Sequence, residues 1–418
     1  GLDPGVRTVH LADVVLPMVG EPIRDGAVLV DGDRVVAVER AGSEYADAKV
    51  RRHRGILTPG LVNAHAHLEY GPPFADLATS GLPFTEWIVE LTARRMRMSE
   101  ADWTEAARGS AHQLLRTGTT AVADIVTEGP GVGVTSAVGL RGVSYVELAG
   151  VDDQRWDAGL QRLERLLALR GRARGISPHT LYTLSSKVFT EMVALARSRG
   201  MRLHPHLAET ADEAEWVMSG TGRLADFASK FGLEFELHGS GVGGTAVAHC
   251  AALGGLGPDV HVAHGVHVDA ADRAILREHQ TVVALCPRSN EILQAGTAPV
   301  AGYLADANPI AVGTDSLASA PSLDLLADVR RLRDIARDQG YEDPDLALRL
   351  VQAATIGGAQ ALGDGDLGRL VPGGPADFAV FDVPTDQDPY ESLVEHGEGQ
   401  CTATVLAGRL VHRGRLTA

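Results

Sequence analysis

Cysteine, positive charge and long apolar runs are all scarce in this chain, and each shortage excludes a class of protein. The three cysteines, Cys250, Cys286 and Cys401, form an odd set with no close pair, so reduced thiols in a cytoplasmic setting are expected rather than a disulfide framework. Lys and Arg number 38 against 54 Asp and Glu, a formal net charge of −16. Nucleic-acid backbones and anionic membranes attract clustered cations, so neither is an expected partner. No segment reaches the ~18 to 20 apolar residues of a membrane span. The opening residues also lack the basic-then-apolar order of a signal peptide. What remains is a globular protein acting on a small molecule.

The informative stretch is Pro59-Gly-Leu-Val-Asn-Ala-His-Ala-His67. Two histidines one residue apart follow an apolar run that reads as a short buried strand. Alternate residues on a strand share a face, so His65 and His67 can point at one spot, as a divalent metal requires. Other strand-like runs also end in metal-ligand or acid/base residue types: Met201–Glu209 carries His206 and Glu209, Val260–His264 ends in His264, and Ile310–Asp315 ends in Asp315. Core packing gives no reason for that recurrence. A barrel of parallel strands does, because its active site is built from several C-terminal strand tips.

At 418 residues with 44% hydrophobic content, the chain exceeds a single barrel of ~250 residues, and its pattern divides in three. Residues 1–57 contain short β-type runs separated by Asp-Gly turns, which read as antiparallel sheet. Residues 58–365 alternate strand and helix. After the His65 strand come runs at 120–126, 142–148 and 173–177, then the His206 strand, the His264 strand, 281–285 and the Asp315 strand, eight in all. Helices over 99–116, opening on a Ser99…Asp102 cap pair, and over 153–169 separate them. Eight such units predict a (β/α)8 TIM barrel. Residues 366–418 return to β runs, and the two flanks are expected to pair into one small β-sandwich domain.

These residues together resemble the amidohydrolase superfamily, in its cytosine deaminase and chlorohydrolase-like branch, essentially end to end. The marks are Pro59–His67, Ser177-Pro-His-Thr-Leu-Tyr-Thr183, His206-Leu-Ala-Glu-Thr210, Ala263-His-Gly-Val-His267, Cys286-Pro-Arg-Ser-Asn290, Gly313-Thr-Asp-Ser-Leu-Ala-Ser319 and Pro372–Phe378. The resemblance implies one divalent metal, Zn or Fe(II), on His65, His67, His206 and Asp315, with Glu209 and His264 as catalytic partners and Asp315 in a second, proton-accepting role. Binuclear members carry a bridging carboxylated lysine after the fourth strand. Here the only lysines are Lys49, Lys187 and Lys230, and Lys187 is expected in the helix after that strand, so a single-metal site is expected rather than a two-metal one. A divalent ion with an open position lowers the pKa of a bound water to about 7. Glu209 can then protonate a ring nitrogen as water adds to a C–NH2 carbon.

Asn63–Glu69, the Phe84…Trp87 loop and the His206–Glu209 segment further resemble aminodeoxyfutalosine deaminases, which turn an aminated purine nucleoside with an aryl carboxylate on its ribose into futalosine and ammonia, in menaquinone biosynthesis. Adenosine, 5'-methylthioadenosine and S-adenosylhomocysteine deaminases are the alternative. Dechlorination or amide hydrolysis of another heterocycle, or a catalytically silent scaffold, stand behind them. The substrate contacts so implied are His179, Glu69, Phe84, Trp87 and Ser319. Arg288 is the first candidate for a substrate carboxylate, ahead of Arg141. A homodimer is the expected assembly. His204 and His267 are expected to pack structurally, and Cys286 to be a buried apolar residue.

Overall fold

The computed structural model describes residues 7–414. Its first four strands are β1 (Arg7–Val15), β2 (Ile23–Asp31), β3 (Arg34–Arg40) and β4 (Ala48–Pro59). The β2–β3 hairpin turns on Gly32-Asp33, with Gly32 at φ 61°, the left-handed conformation that makes glycine the favoured residue in such turns. The expected all-antiparallel order fails at one pair: β4 runs parallel to β1. It passes β3 and returns along the far side of β1, where its second half is free to take another partner and lead straight into the next strand.

Eight parallel strand positions follow. They are β5 (Leu61–Ala66), β6 (Thr119–Val126), β7 (Arg141–Leu148), β8 (Arg174–Pro178), β9 (His206–Leu207), β10 (His261–His264), β11 (Val282–Leu285) and β12 (Ile310–Val312). β5 and β6 are buried along their whole length, as strands covered on both faces must be. Two four-stranded ladders, β5 to β8 and β9 to β12, join into a (β/α)8 barrel. On one side Leu203 bridges Ile176 and Val260 in parallel; on the other, the Asp315 amide donates to the carbonyl of His65 at 2.9 Å. The strand expected over 201–209 is broken into the Leu203 bridge and the short β9, because Pro205 between them has no N–H to give a ladder.

Helices cover the outside. Glu100–Arg116 starts with a complete Ser99/Asp102 capping box, and Trp156–Leu167 buries Trp156, Gly159, Leu163 and Leu166 on one face. Lys187 lies in the helix Ser186–Ser198. Among the described residues no helix is long and apolar enough to cross a membrane.

The last strands, β13 (Phe378–Phe381), β14 (Cys401–Leu406) and β15 (Arg409–Arg413), rejoin the first four. β13 pairs antiparallel with the second half of β4, giving one seven-stranded sheet in the order β15-β14-β13-β4-β1-β2-β3. It curls over a common interior in which Val35 of β3 shares an apolar cluster with Phe378, Val380 and Val405.

Candidate active site

The strand tips bring His65, His67, His206, His264, Glu209 and Asp315 to one place. Nε2 of His65 and Nε2 of His67 each lie 3.5 Å from Asp315 Oδ1. His206 Nε2 lies 3.3 Å from His67 Nε2. His264 Nε2 is 3.3 Å from Glu209 Oε2 and 3.8 Å from Asp315 Oδ2. His264 and Asp315 both have left-handed backbones, φ 84° and 61°, which cost energy for residues with a Cβ and cluster at functional sites. The chain leaves its ladder there to turn both side chains inward.

Hydrogen bonds on the far side of the His206 and His264 rings decide which nitrogen faces the centre. His206 Nδ1 donates to the carbonyl of His179 at 3.1 Å, so its Nε2 keeps the lone pair in a neutral ring. His264 Nδ1 is 3.0 Å from Asn290 Oδ1, and donation there leaves Nε2 unprotonated too. His65 Nε2 and His264 Nε2 are buried with no hydrogen-bond partner among the described residues. Burial holds all four rings below the ordinary histidine range, His206 at about 4, so they are neutral donors near pH 7. Inward lone pairs this close repel one another unless a cation lies between them. His65, His67 and Asp315 bring ligand atoms within 4.8 Å of one another, as do His65, His206 and His264, and His206 Nε2 stands 3.3 Å from His67 Nε2; nitrogen and oxygen donors so grouped fit a divalent ion and suit Zn or Fe(II) alike.

The acid groups diverge. Burial raises Glu209 well above the ordinary carboxylate range, and Asp315 and Glu213 add to the shift. Asp315 is also pushed up by burial, but His67, His264 and His206 outweigh this and hold it low. Burial thus favours the protonated form of one carboxyl beside a second held low, the separation that acid/base chemistry uses.

The cluster forms the floor of a cavity of about 310 Å³. Phe84 and Trp87 line it as expected, with ring centroids 6.1 Å apart and planes 26° from parallel; they open the helix Phe84–Arg95 rather than a loop. Trp87 is anchored by its indole N–H to the carbonyl of Ala318. His179 lines it too, with Nδ1 2.7 Å from Thr183 Oγ1. Phe227, Phe231 and Leu233 supply the facing apolar wall.

Four candidate contacts lie elsewhere. The Glu69 carboxylate accepts from the amides of Thr127, Glu128, Gly129 and Gly131 at 2.9 to 3.2 Å, which commits both oxygens to shaping that loop. Arg288 turns away to Asp328 at 2.9 Å and to Ser322, because the helix Pro287–Ile292 presents it to the helix Leu325–Asp338. The arginines that do line the cavity are Arg95, paired with Glu128 at 2.8 Å, and Arg155, paired with Asp152 at 2.5 Å. Arg141 pairs with Asp377. Ser319 sits behind Asp315, joined to it through Ser289, whose hydroxyl is 2.9 Å from each. His267 is held by the Ala295 carbonyl. Cys286 is buried with its thiol pushed up by that burial.

Sequence reasoning passed over several supporting residues. Glu213 accepts from the amides of Ala208 and Glu209 at 2.7 and 3.1 Å, fixing the turn that presents Glu209. Its signal was Thr210-x-x-Glu213, a capping-box pattern at a helix start. Asn290 orients His264, and Ser289 orients Asp315; both stand in the Cys286–Asn290 motif. Glu147, at the tip of β7, faces the cavity with its carboxyl pushed up to about 8 by burial, and nothing in its sequence context marked it.

A profile of the amidohydrolase family matches residues 56–411. The chain is 34% identical to the 5-methylthioadenosine/S-adenosylhomocysteine deaminase of Halobacterium salinarum, over 94% of this chain and 90% of that protein. It is 30% identical to the protein of the same name from Moorella thermoacetica, over 96% and 93%. The crystal structure of Helicobacter pylori aminofutalosine deaminase in complex with methylthio-coformycin superposes with a TM-score of 0.81 at 19% identity, covering 97% of this chain and 100% of that one. That last likeness concerns the fold.

Proposed function

Since this chain belongs to the amidohydrolase family, we propose that it is a hydrolase that removes the amino group of a purine nucleoside as ammonia, using a single Zn or Fe(II). His65, His67, His206 and Asp315 would hold the ion. A bound divalent ion supplies a water of lowered pKa as nucleophile at neutral pH. Asp315 Oδ2 accepts the proton of the attacking water. His264 Nε2, between Asp315 and Glu209, orients that water over the amino-bearing carbon. Glu209 donates its proton to the adjacent ring nitrogen, so the ring carries no negative charge as the carbon becomes tetrahedral. The proton on Asp315 then passes to the amino group, which leaves as ammonia, while Glu209 recovers a proton as the carbonyl forms. The observation that carries this reading is the pairing of Glu209 with His264 at 3.3 Å beside Asp315.

The preferred substrate is aminodeoxyfutalosine. The Phe84, Trp87, Phe227 and Phe231 side chains offer an aromatic slot for an aryl 5' substituent, and Arg95 and Arg155, already paired with Glu128 and Asp152, would share their remaining N–H groups with its carboxylate. The second reading, a 5'-methylthioadenosine or S-adenosylhomocysteine deaminase, is favoured by the names of the relatives and needs the same chemistry. Ammonia release measured side by side on aminodeoxyfutalosine, 5'-methylthioadenosine, S-adenosylhomocysteine and adenosine decides between them. The expected order places aminodeoxyfutalosine first in kcat/KM. Equal values for it and adenosine would remove the specific assignment, and no ammonia from any of the four would remove the deaminase itself.

A further inference from the structure

Directly beneath the candidate metal cluster lies a second layer of imidazoles that the proposed reaction does not use. His204, two residues before His206, and His261, three before His264, are fully buried. Their rings stack with centroids 3.6 Å apart and planes within 10°. His204 Nδ1 is 2.9 Å from the carbonyl of His261. A carbonyl can only accept, so this nitrogen carries the proton and the neutral ring keeps a lone pair on Nε2. That Nε2 is 2.9 Å from His65 Nδ1, which therefore donates to it. His65 is left with its lone pair on Nε2, the atom that has no partner among the described residues and faces the cluster. His261 closes the unit from below, its Nε2 2.8 Å from the carbonyl of Ala64, the residue before His65.

We propose that His204 is a positioning residue for the metal site, dictating through its hydrogen bond which nitrogen of His65 is presented to the ion, with the stacked His261 holding His204 in place. This rests on the metal-site reading above. His206 takes its orientation from a backbone carbonyl and His264 from an amide side chain; His65 takes it from another imidazole, itself pinned at both ends.

The test is binding of Zn2+ and Co2+ to the full-length apoprotein, by competition with a chelator and by the Co2+ absorption spectrum. His204→Leu is expected to weaken binding roughly 10- to 100-fold, the usual loss when a ligand's hydrogen-bond partner is removed, and to alter the spectrum. His204→Gln, whose side-chain oxygen can accept from His65, is expected to restore affinity to within a few-fold of wild type. Equal affinity and an unchanged spectrum in His204→Leu would overturn the proposal while leaving the metal site standing. A wild-type protein that binds neither ion would instead overturn the metal site. Should His204→Leu fail to fold, nitrogen-15 NMR of histidine-labelled wild-type apoprotein decides: a His65 proton on Nδ1 supports the relay, and one on Nε2 refutes it.

Discussion

The carboxyl of Glu209 and Nε2 of His264 stand 3.3 Å apart, with the opposite nitrogen of that ring tied to Asn290. If the ring donates to Asn290, a lone pair faces the carboxyl, and the contact is favourable only with a proton in the gap. Burial lowers the imidazole and raises the carboxyl, which favours the proton on Glu209, where a ring nitrogen can receive it.

Replacing that proton donor while keeping its shape isolates its role. Glu209→Gln is expected to lower kcat at least ~100-fold with metal content unchanged. Steady-state kinetics alongside elemental analysis checks both halves, and near-normal turnover would remove Glu209 from the mechanism.

Metal stoichiometry separates the four proposed ligands from their neighbours. Purified protein is expected to hold about one Zn or Fe per chain and to lose activity on chelation, and His65→Ala is expected to hold almost none. Two ions per chain, or full activity without metal, contradicts the site.

Arg288 now predicts a stability effect in place of a specificity effect. Asp328 is fully buried and Arg288 is its cationic partner, and stripping one partner from a buried pair costs about 3 to 5 kcal/mol. Arg288→Met should therefore unfold at markedly lower denaturant with KM for every nucleoside nearly unchanged. A selective rise in KM for the carboxylated substrate would restore the original reading.

The end sheet carries its own pH dependence. His10 is held at about 3 by burial, with repulsion from His53 and Arg51, and His53 at about 4 by burial, then Arg51 and Arg413. Both fall below the ~6.5 of an unfolded chain. The unfolded state therefore binds protons first, and stability present above about pH 6.5 drains as the pH drops toward the folded values. Scanning calorimetry of the metal-loaded protein should show Tm falling more between about pH 7 and pH 5 in wild type than in His10→Gln. Parallel slopes would exclude the pair as a source.

What could be read from the sequence followed from periodicity. His65 and His67 sit two apart on a strand, and His206, His264 and Asp315 close short apolar runs, so a barrel pattern alone brings them together. Side chains one step beyond a strand tip escape that logic. Glu69 and Arg288 follow strand tips by three residues where Glu209 follows by two, yet the amides at 127–131 capture one and Asp328 captures the other, and partners so distant in sequence leave no local trace. The cavity wall at Phe227 and Phe231 was equally silent, since a helix that packs and a helix that lines a pocket share one pattern. The parallel β1–β4 pair was missed because turn residues report where a chain reverses and not which side of the sheet it rejoins.

That pairing of β4 with β13 also governs how the protein is made. The entire barrel is synthesised between the two strands, so the nascent N-terminal strands wait with one edge of β4 uncovered while every barrel unit emerges. An open edge is a template for pairing with another chain, and prolonged exposure of such an edge favours association over folding. A ribosome stalled before Phe378 would hold a molecule that has all of its proposed metal ligands and remains prone to aggregate, because the strand that completes its oldest sheet is among the last to be translated.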